Sequence, residues 1–210
     1  MTQPNPALPP HLLSPRPLKD GPGAEPGDIP DAARPRHLPG DRKVSLEQMI
    51  RVDQAGEYGA VRIYTGQSAV LGKGDKGPML RHMTEQEQVH LDTFNRLVRE
   101  RGVRPTMLQP LWHVAGWVLG AGTAAMGTRA AMACTVAVEE VIDQHYAEQA
   151  AMLDPAETPL KATIEKFRAE ELEHRDIGLA NEAELATGYP VLSALIKAGS
   201  RTAIWLSQRI

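Results

Sequence analysis

The sequence predicts an all-α protein, and three observations carry that prediction. From about Ser45 onward, apolar residues recur at steps of three and four, and no stretch alternates as a half-buried strand does. Aromatic residues are only 4% of the 210, whereas Ala, Leu and Met are plentiful. The helical stretches stop at turns marked by glycine and proline. A net charge of -3 gives no global basic field of the kind that attracts nucleic acid. The single cysteine, Cys134 in AMACTVAV, excludes an internal disulfide and a thiolate-ligated zinc or iron–sulfur site within one chain, and reads as a small core residue.

Residues 1–42 differ in kind. Eleven of the seventeen prolines and four glycines fall within residues 1–41, without apolar periodicity, so this segment is expected to be a disordered leader. It holds no continuous apolar run of the secretory type. Asp20, Glu25, Asp28 and Asp31 interrupt any transit-peptide pattern, so a floppy tail on a bacterial-type cytosolic protein is the expectation. The folded domain is expected over 43–210.

The first helix opens at Ser45, where Gln48 completes a capping box, and runs to about Leu71 before the turn GKGDKG. That turn fits G-x-G-x-x-G on paper but follows a helix rather than a strand, so it is read as a flexible connection. The second helix spans about Pro78 to Arg101, the third about Ala130 to Leu153, and the fourth about Leu160 to Ala186, stopping near Gly188 and Pro190. The first and last connections are short and imply antiparallel neighbours. The middle one, about 28 residues, is the single long crossover of a ferritin-like four-helix bundle.

The inward seam of each helix is apolar at one or both ends and polar in the middle. The four seams contribute Asp53, Glu57 and Tyr64; Glu87 and His90; Glu139, Asp143 and Tyr146; and Glu171 and His174. Glu171 and His174 share a stripe with Ile164 and Phe167, so they are expected to face the core, whereas Glu85, Glu170 and Glu173 lie off the stripes. Glu139 sits on a stronger inward stripe than Glu140. Four converging carboxylates need protons or several positive charges, and no Lys or Arg lies on these seams.

Two divalent metal ions would meet that need. One Glu on each of two helices, with Glu-x-x-His on each of the other two, is the ligand pattern of a dinuclear carboxylate site. The chain repeats this pattern: Glu57 precedes Glu87 by 30 residues and Glu139 precedes Glu171 by 32, each followed by a histidine three further on. Oxygen and imidazole donors without thiolate favour iron or manganese, and do not decide between them. Asp53 is a candidate to orient a ligating histidine. Tyr58, Tyr64, His145 and Tyr146 are read as packing residues or as groups beside the site.

Residues 105–128 carry no formal charge, and Pro110, His113 and four glycines weaken a straight membrane span. The crossover, about 104–129, is therefore expected to lie on or dip into one leaflet, with Trp112 and Trp117 at the interface. The last helix, about 190–210, presents Leu192, Leu195, Ile196, Gly199, Ala203 and Leu206 on one face and contains no acid, which suits an anionic membrane surface or a lipid-tailed ligand.

These residues resemble the demethoxyubiquinone hydroxylase family of ubiquinone biosynthesis. The resemblance lies in IRVDQAGEYGAVRIYTGQ (50–67), EQEQVH (85–90), RPTMLQPLWHVAGWVLGAGTAAMG (104–127), AMACTVAVEE (131–140), KFRAEELEHRDIGLANEAEL (166–185) and the terminal AGSRTAIWLSQRI, and it covers about residues 43–210. It implies an O2-dependent di-iron monooxygenase that hydroxylates the ring of a polyprenylated demethoxy-benzoquinol, 2-polyprenyl-3-methyl-6-methoxy-1,4-benzoquinol. The implied ligands of two iron ions are Glu57, Glu87, His90, Glu139, Glu171 and His174, with Glu87 and Glu171 bridging. The resemblance also implies an external reductant, NADH being one candidate, and partners among a membrane surface and other ubiquinone-biosynthesis proteins. The implied location is peripheral, on the cytoplasmic face of a bacterial cell membrane or, alternatively, the matrix face of the mitochondrial inner membrane. Two rival readings are a ferritin- or rubrerythrin-like protein handling iron or peroxide, which needs no apolar crossover, and a metal-free membrane-surface scaffold.

Overall fold

The computed structural model describes residues 44–210, so the leader expected over 1–42 lies outside the described residues. The chain runs through α1 (Leu46–Leu71), α2 (Gly77–Glu100), α3 (Gln109–Ala125), α4 (Thr128–Met152), α5 (Thr158–Ala180) and α6 (Tyr189–Ser207). Single 3-10 turns, Pro155–Glu157 and Ala183–Leu185, precede α5 and α6. The hairpins α1–α2 and α4–α5 pair into the expected four-helix bundle, α1 meeting α4 and α2 meeting α5. α3 carries the crossover back along α1, and α6 returns over α4 and α1.

Helix ends follow local chemistry. Ser45 Oγ accepts from the Gln48 amide at 3.2 Å while Gln48 Oε1 accepts from the Ser45 amide at 2.9 Å, satisfying two donors that the opening of a helix leaves free. α2, α3, α5 and α6 each carry a proline in the first turn, where no intrahelical donor is lost. One boundary departs from the sequence expectation. α5 ends at Ala180 and not near Ala186, because Asn181 Nδ2 donates to the Ile177 carbonyl at 2.8 Å and its Oδ1 accepts from Lys76 Nζ at 2.9 Å. Glu182 then takes a left-handed φ of 63°, and the turn drops Ala183 into the core. Gly188, expected to stop that helix, instead caps the start of α6 at φ 71°, so the last helix begins at Tyr189.

The bundle interior is layered. One apolar cluster joins Tyr64, Leu80, Met83, Met132 and Val136; another joins Ile50, Phe94, Tyr146, Ile164 and Phe167. Fully burying each large aliphatic or aromatic side chain contributes about 1.5–3 kcal/mol. On every bundle helix the polar seam residues sit between the members of these two clusters, so the apolar layers close the polar band from both ends. A third cluster of Ile63, Cys134, Ala137, Val138 and Ile196 lies beneath α3 and α6, and Cys134 is buried as expected.

α3 packs on the bundle itself. A Cβ on Gly120 would collide with the Ile63 carbonyl oxygen, one on Gly66 with the Trp117 carbonyl, and one on Gly116 would stand 2.9 Å from the Gly59 carbonyl. Glycine is thus required for backbone-to-backbone approach here. Trp112 is half-buried, and its Nε1 donates to Ser207 Oγ at 3.0 Å and ties α3 to α6. The outer face of α3 nevertheless exposes Leu111, Val114, Trp117 and Val118, and α6 adds Val191, Leu195 and Trp205. Among the described residues no helix is long and apolar enough to cross a membrane.

Candidate metal centre

The heptad geometry of the bundle helices turns all six expected ligands into one space. Glu57, Glu87, His90, Glu139, Glu171 and His174 are each at most 1% exposed. One donor atom from each of Glu57, Glu87, His90 and Glu171 lies within 4.8 Å of the others, and the same holds for Glu87, Glu139, Glu171 and His174. Glu87 and Glu171 belong to both groups. His90 presents Nδ1 to Glu171 Oε1 at 3.1 Å and to Glu57 Oε2 at 3.5 Å. His174 presents Nδ1 to Glu87 Oε1 at 3.0 Å and to Glu171 Oε2 at 3.5 Å.

The electrostatics of this set call for added positive charge. Burial pushes the Glu57, Glu87 and Glu139 carboxyls up, and the charge of Glu171 adds to each, with Glu87 and Glu139 moved furthest. Burial also acts upward on Glu171, but the adjoining imidazoles of His174 and His90 outweigh it and hold this carboxyl at about 2. Burial disfavours the charged form of His90, yet Glu171 and Glu57 push it up to about 12; His174 is raised in the same manner. The two imidazoles are the only buried cationic groups among the described residues, against the four carboxylates of this set and that of Asp53. Without further charge, the carboxyls must therefore take up protons.

The donor atoms themselves fit metal ions. Both carboxylate oxygens of Glu87, Oε2 of Glu57, Glu139 and Glu171, and Nδ1 of His174 are buried without a hydrogen-bond partner. Orphaned buried polar atoms are rare, and six of the eleven among the described residues belong to this one set. Oxygen-rich donors with two imidazoles and no thiolate suit two divalent first-row ions.

Around this set stands a layer of hydrogen bonds that cross between hairpins. Tyr64 on α1 donates to Glu139 Oε1 on α4 at 2.6 Å, and Tyr146 on α4 donates to Glu57 Oε1 on α1. Behind the imidazoles, His90 Nε2 lies 2.7 Å from Glu170 Oε2, and His174 Nε2 lies 2.9 Å from Gln86 Oε1. By sequence Glu170 lies off the inward stripe, and Gln86 carries no ligand pattern of its own. Both stand immediately before the Glu of a Glu-x-x-His, and that repeated position is the signal that marks them.

Other candidates fall elsewhere. Asp53 does not orient a ligating histidine: its Oδ1 accepts from Gln149 Nε2 at 2.7 Å and faces His145 Nε2 at 3.3 Å. Tyr58 Oη meets His113 Nδ1 at 2.6 Å on the α1–α3 surface. Asp143 follows the seam but accepts from Arg168 Nε at 2.6 Å, away from the cluster. Glu139 faces the core, whereas Glu140 turns out to Lys197.

Beside the centre, α1, α3, α4 and α6 enclose an apolar pocket of about 490 Å³. Gly56 and Val138 line it, and they are the chain neighbours of Glu57 and Glu139; Ala60, Trp112, Leu119 and Leu192 form other parts of its wall.

Residues 44–207 match the family described as "Ubiquinone biosynthesis protein COQ7". The chain is 60% identical over 176 residues to a Rhodospirillum rubrum protein named 3-demethoxyubiquinol 3-hydroxylase, covering 82% of this chain and 83% of the relative. It is 54% identical over 172 residues to a human protein named NADPH-dependent 3-demethoxyubiquinone 3-hydroxylase, mitochondrial, covering 80% of this chain and 79% of that one. A Saccharomyces cerevisiae protein named 5-demethoxyubiquinone hydroxylase, mitochondrial, is 41% identical over 200 residues, covering 84% and 86% respectively.

Proposed function

The chain belongs to the COQ7 family of ubiquinone-biosynthesis proteins, and from that premise we propose that it is an O2-dependent di-iron monooxygenase hydroxylating the ring of a polyprenylated demethoxy-benzoquinol. The observation that carries this reading is the pair of buried four-residue groups that share Glu87 and Glu171 and adjoin an apolar pocket. Glu57 and His90 would hold one ion, Glu139 and His174 the other, with Glu87 and Glu171 spanning both. Bound iron supplies the reduction of O2 and the transfer of one of its oxygen atoms to the ring.

The protein's own groups do the rest. Tyr146 and Tyr64 hydrogen-bond one oxygen of Glu57 and of Glu139 and so hold in place the two carboxylates that would be ligands. The clusters around Met83 and Phe94 exclude water from the bundle on both sides of the polar band. The pocket between α1 and α6 takes the apolar body of the quinol, with its ring at the Gly56 and Val138 wall beside Glu57 and Glu139. The exposed apolar residues of α3 and α6 rest on a membrane surface, from which a lipid-tailed substrate enters. A nicotinamide nucleotide is the proposed source of electrons, as the name of the human relative says of that protein. The proposed location is the cytoplasmic face of a bacterial membrane, and the names of the human and yeast relatives, which call those proteins mitochondrial, keep the mitochondrial alternative.

The test is turnover of Fe(II)-loaded chain with a short-tailed demethoxyquinol under labelled oxygen gas. Product carrying one labelled oxygen atom, lost on chelation, is the expected result. Label entering from water, or turnover by metal-free chain, overturns the proposal.

A further inference from the structure

We propose that Glu170 and Gln86 make the two halves of the metal centre unequal, with Glu170 strengthening metal binding at His90 and Gln86 leaving the His174 half weaker. The inference rests on the di-iron reading above and goes one layer outward from it.

The two hairpins repeat the same plan in crossed form. Each imidazole turns Nδ1 to the acids and Nε2 away from them. If Nδ1 binds the ion, Nε2 must carry the proton and needs an acceptor. That acceptor comes from the opposite hairpin, one residue before the bridging glutamate. Glu170 of α5 serves His90 of α2 at 2.7 Å, and Gln86 of α2 serves His174 of α5 at 2.9 Å. The plan is symmetric, whereas the chemistry is not. A carboxylate draws the Nε2 proton towards itself and leaves Nδ1 more basic, so the imidazole becomes the stronger donor. A neutral amide oxygen fixes the ring and its tautomer with a much smaller electronic effect.

Three further features bear on the strength of this asymmetry. Glu170 is 26% exposed in its side chain, and Lys166 Nζ approaches its other oxygen at 3.5 Å, which tempers its charge. The Phe167 ring stacks on His90 with centroids 4.0 Å apart and screens that face of the imidazole from water. Tyr64 lies edge-on to His174 at 5.8 Å and brings no charge. A short contact from Nε2 to a carboxylate is thus confined to the His90 side.

The experiment is anaerobic titration of metal-free full-length chain with Fe(II), followed by calorimetry, with iron-57 Mössbauer spectra of the half-loaded and loaded protein. The wild-type chain is expected to fill in two steps, the first about tenfold tighter. Glu170→Gln should weaken the first step about tenfold and leave the second in place, merging the two. Gln86→Glu should tighten the second step alone. The double exchange Glu170→Gln, Gln86→Glu should restore two steps, an outcome that loss of packing cannot produce. Two steps indifferent to Glu170→Gln in a chain of unchanged helicity overturn the inference and leave the di-iron reading intact. A wild-type chain that takes up no Fe(II) overturns both.

Discussion

The bundle interior and the α3–α6 layer invert one another. The interior buries four carboxylates and two imidazoles at no more than 1% exposure, where apolar residues ordinarily sit. The α3–α6 layer leaves Leu111, Val114, Trp117, Val118, Leu195 and Trp205 exposed, where polar residues ordinarily sit. Each region breaks the usual partition in the direction that an absent partner would repair: cations for the interior, an apolar phase for the layer. The two meet at the pocket walled by Gly56, Val138, Trp112 and Leu192. Departures from local consistency concentrate where function is carried out.

The comparison breaks most completely at Glu171, which both metal groups require. Glu171→Ala is expected to abolish iron binding, measured by elemental mass spectrometry, and to lower turnover by on the order of 1,000-fold or more. A chain that keeps its iron after this change contradicts the shared-ligand geometry.

The next largest effect is on the metal-free chain. The folded-state pKa values of Glu57, Glu87 and Glu139 are raised from 4.5, and that of His90 is raised from 6.5 to about 12. In these groups the folded chain binds protons that the unfolded chain releases, so stability falls as pH rises above the unfolded values. Glu171, held at about 2, opposes this only below its unfolded value of 4.5. Metal-free protein should therefore melt higher at about pH 6 than at about pH 8, by several degrees, because one pKa unit is worth about 1.4 kcal/mol. Bound metal competes with these protons and should flatten or reverse the trend in calorimetric scans.

A third change strikes the seam between the regions. Gly120→Ala sets a methyl group against the Ile63 carbonyl and must part α3 from α1. A loss of about 2 kcal/mol in denaturant unfolding is expected, with both irons retained. The mildest change sharpens the contrast: Trp117→Ser with Leu195→Ser should cut partition onto anionic vesicles about tenfold while iron content and melting temperature stay as they were.

Much of this was legible in the sequence because a bundle helix has a fixed period. Steps of three and four from Ile50 lead to Glu57, and from Ile164 to Glu171 and His174, with no knowledge of the neighbouring helix. What escaped depends on how the helices face one another. Glu170 lies off its own stripe, yet it meets His90 because α2 and α5 pass close enough for a flanking residue to reach across. Asp53 was placed on the correct face, but its partner was decided by Gln149 and His145 of α4. The end of α5 was missed because Asn181, an ordinary helix residue by pattern, finds Lys76 and the Ile177 carbonyl. Period gives the face; the partner on that face is a tertiary fact.

The crossed tyrosine bonds set an order of events in the making of the molecule. Tyr64 and Glu139 are 75 residues apart in the chain, and Tyr146 and Glu57 are 89 apart. Neither hairpin holds a finished half of the centre, since each hydroxyl serves an acid of the other. Helices can form locally in microseconds, but these contacts wait for loop closure across α3. On the proposed di-iron reading, metal capture would follow that closure, and the rate at which a refolding chain takes up iron should time the docking of its two halves.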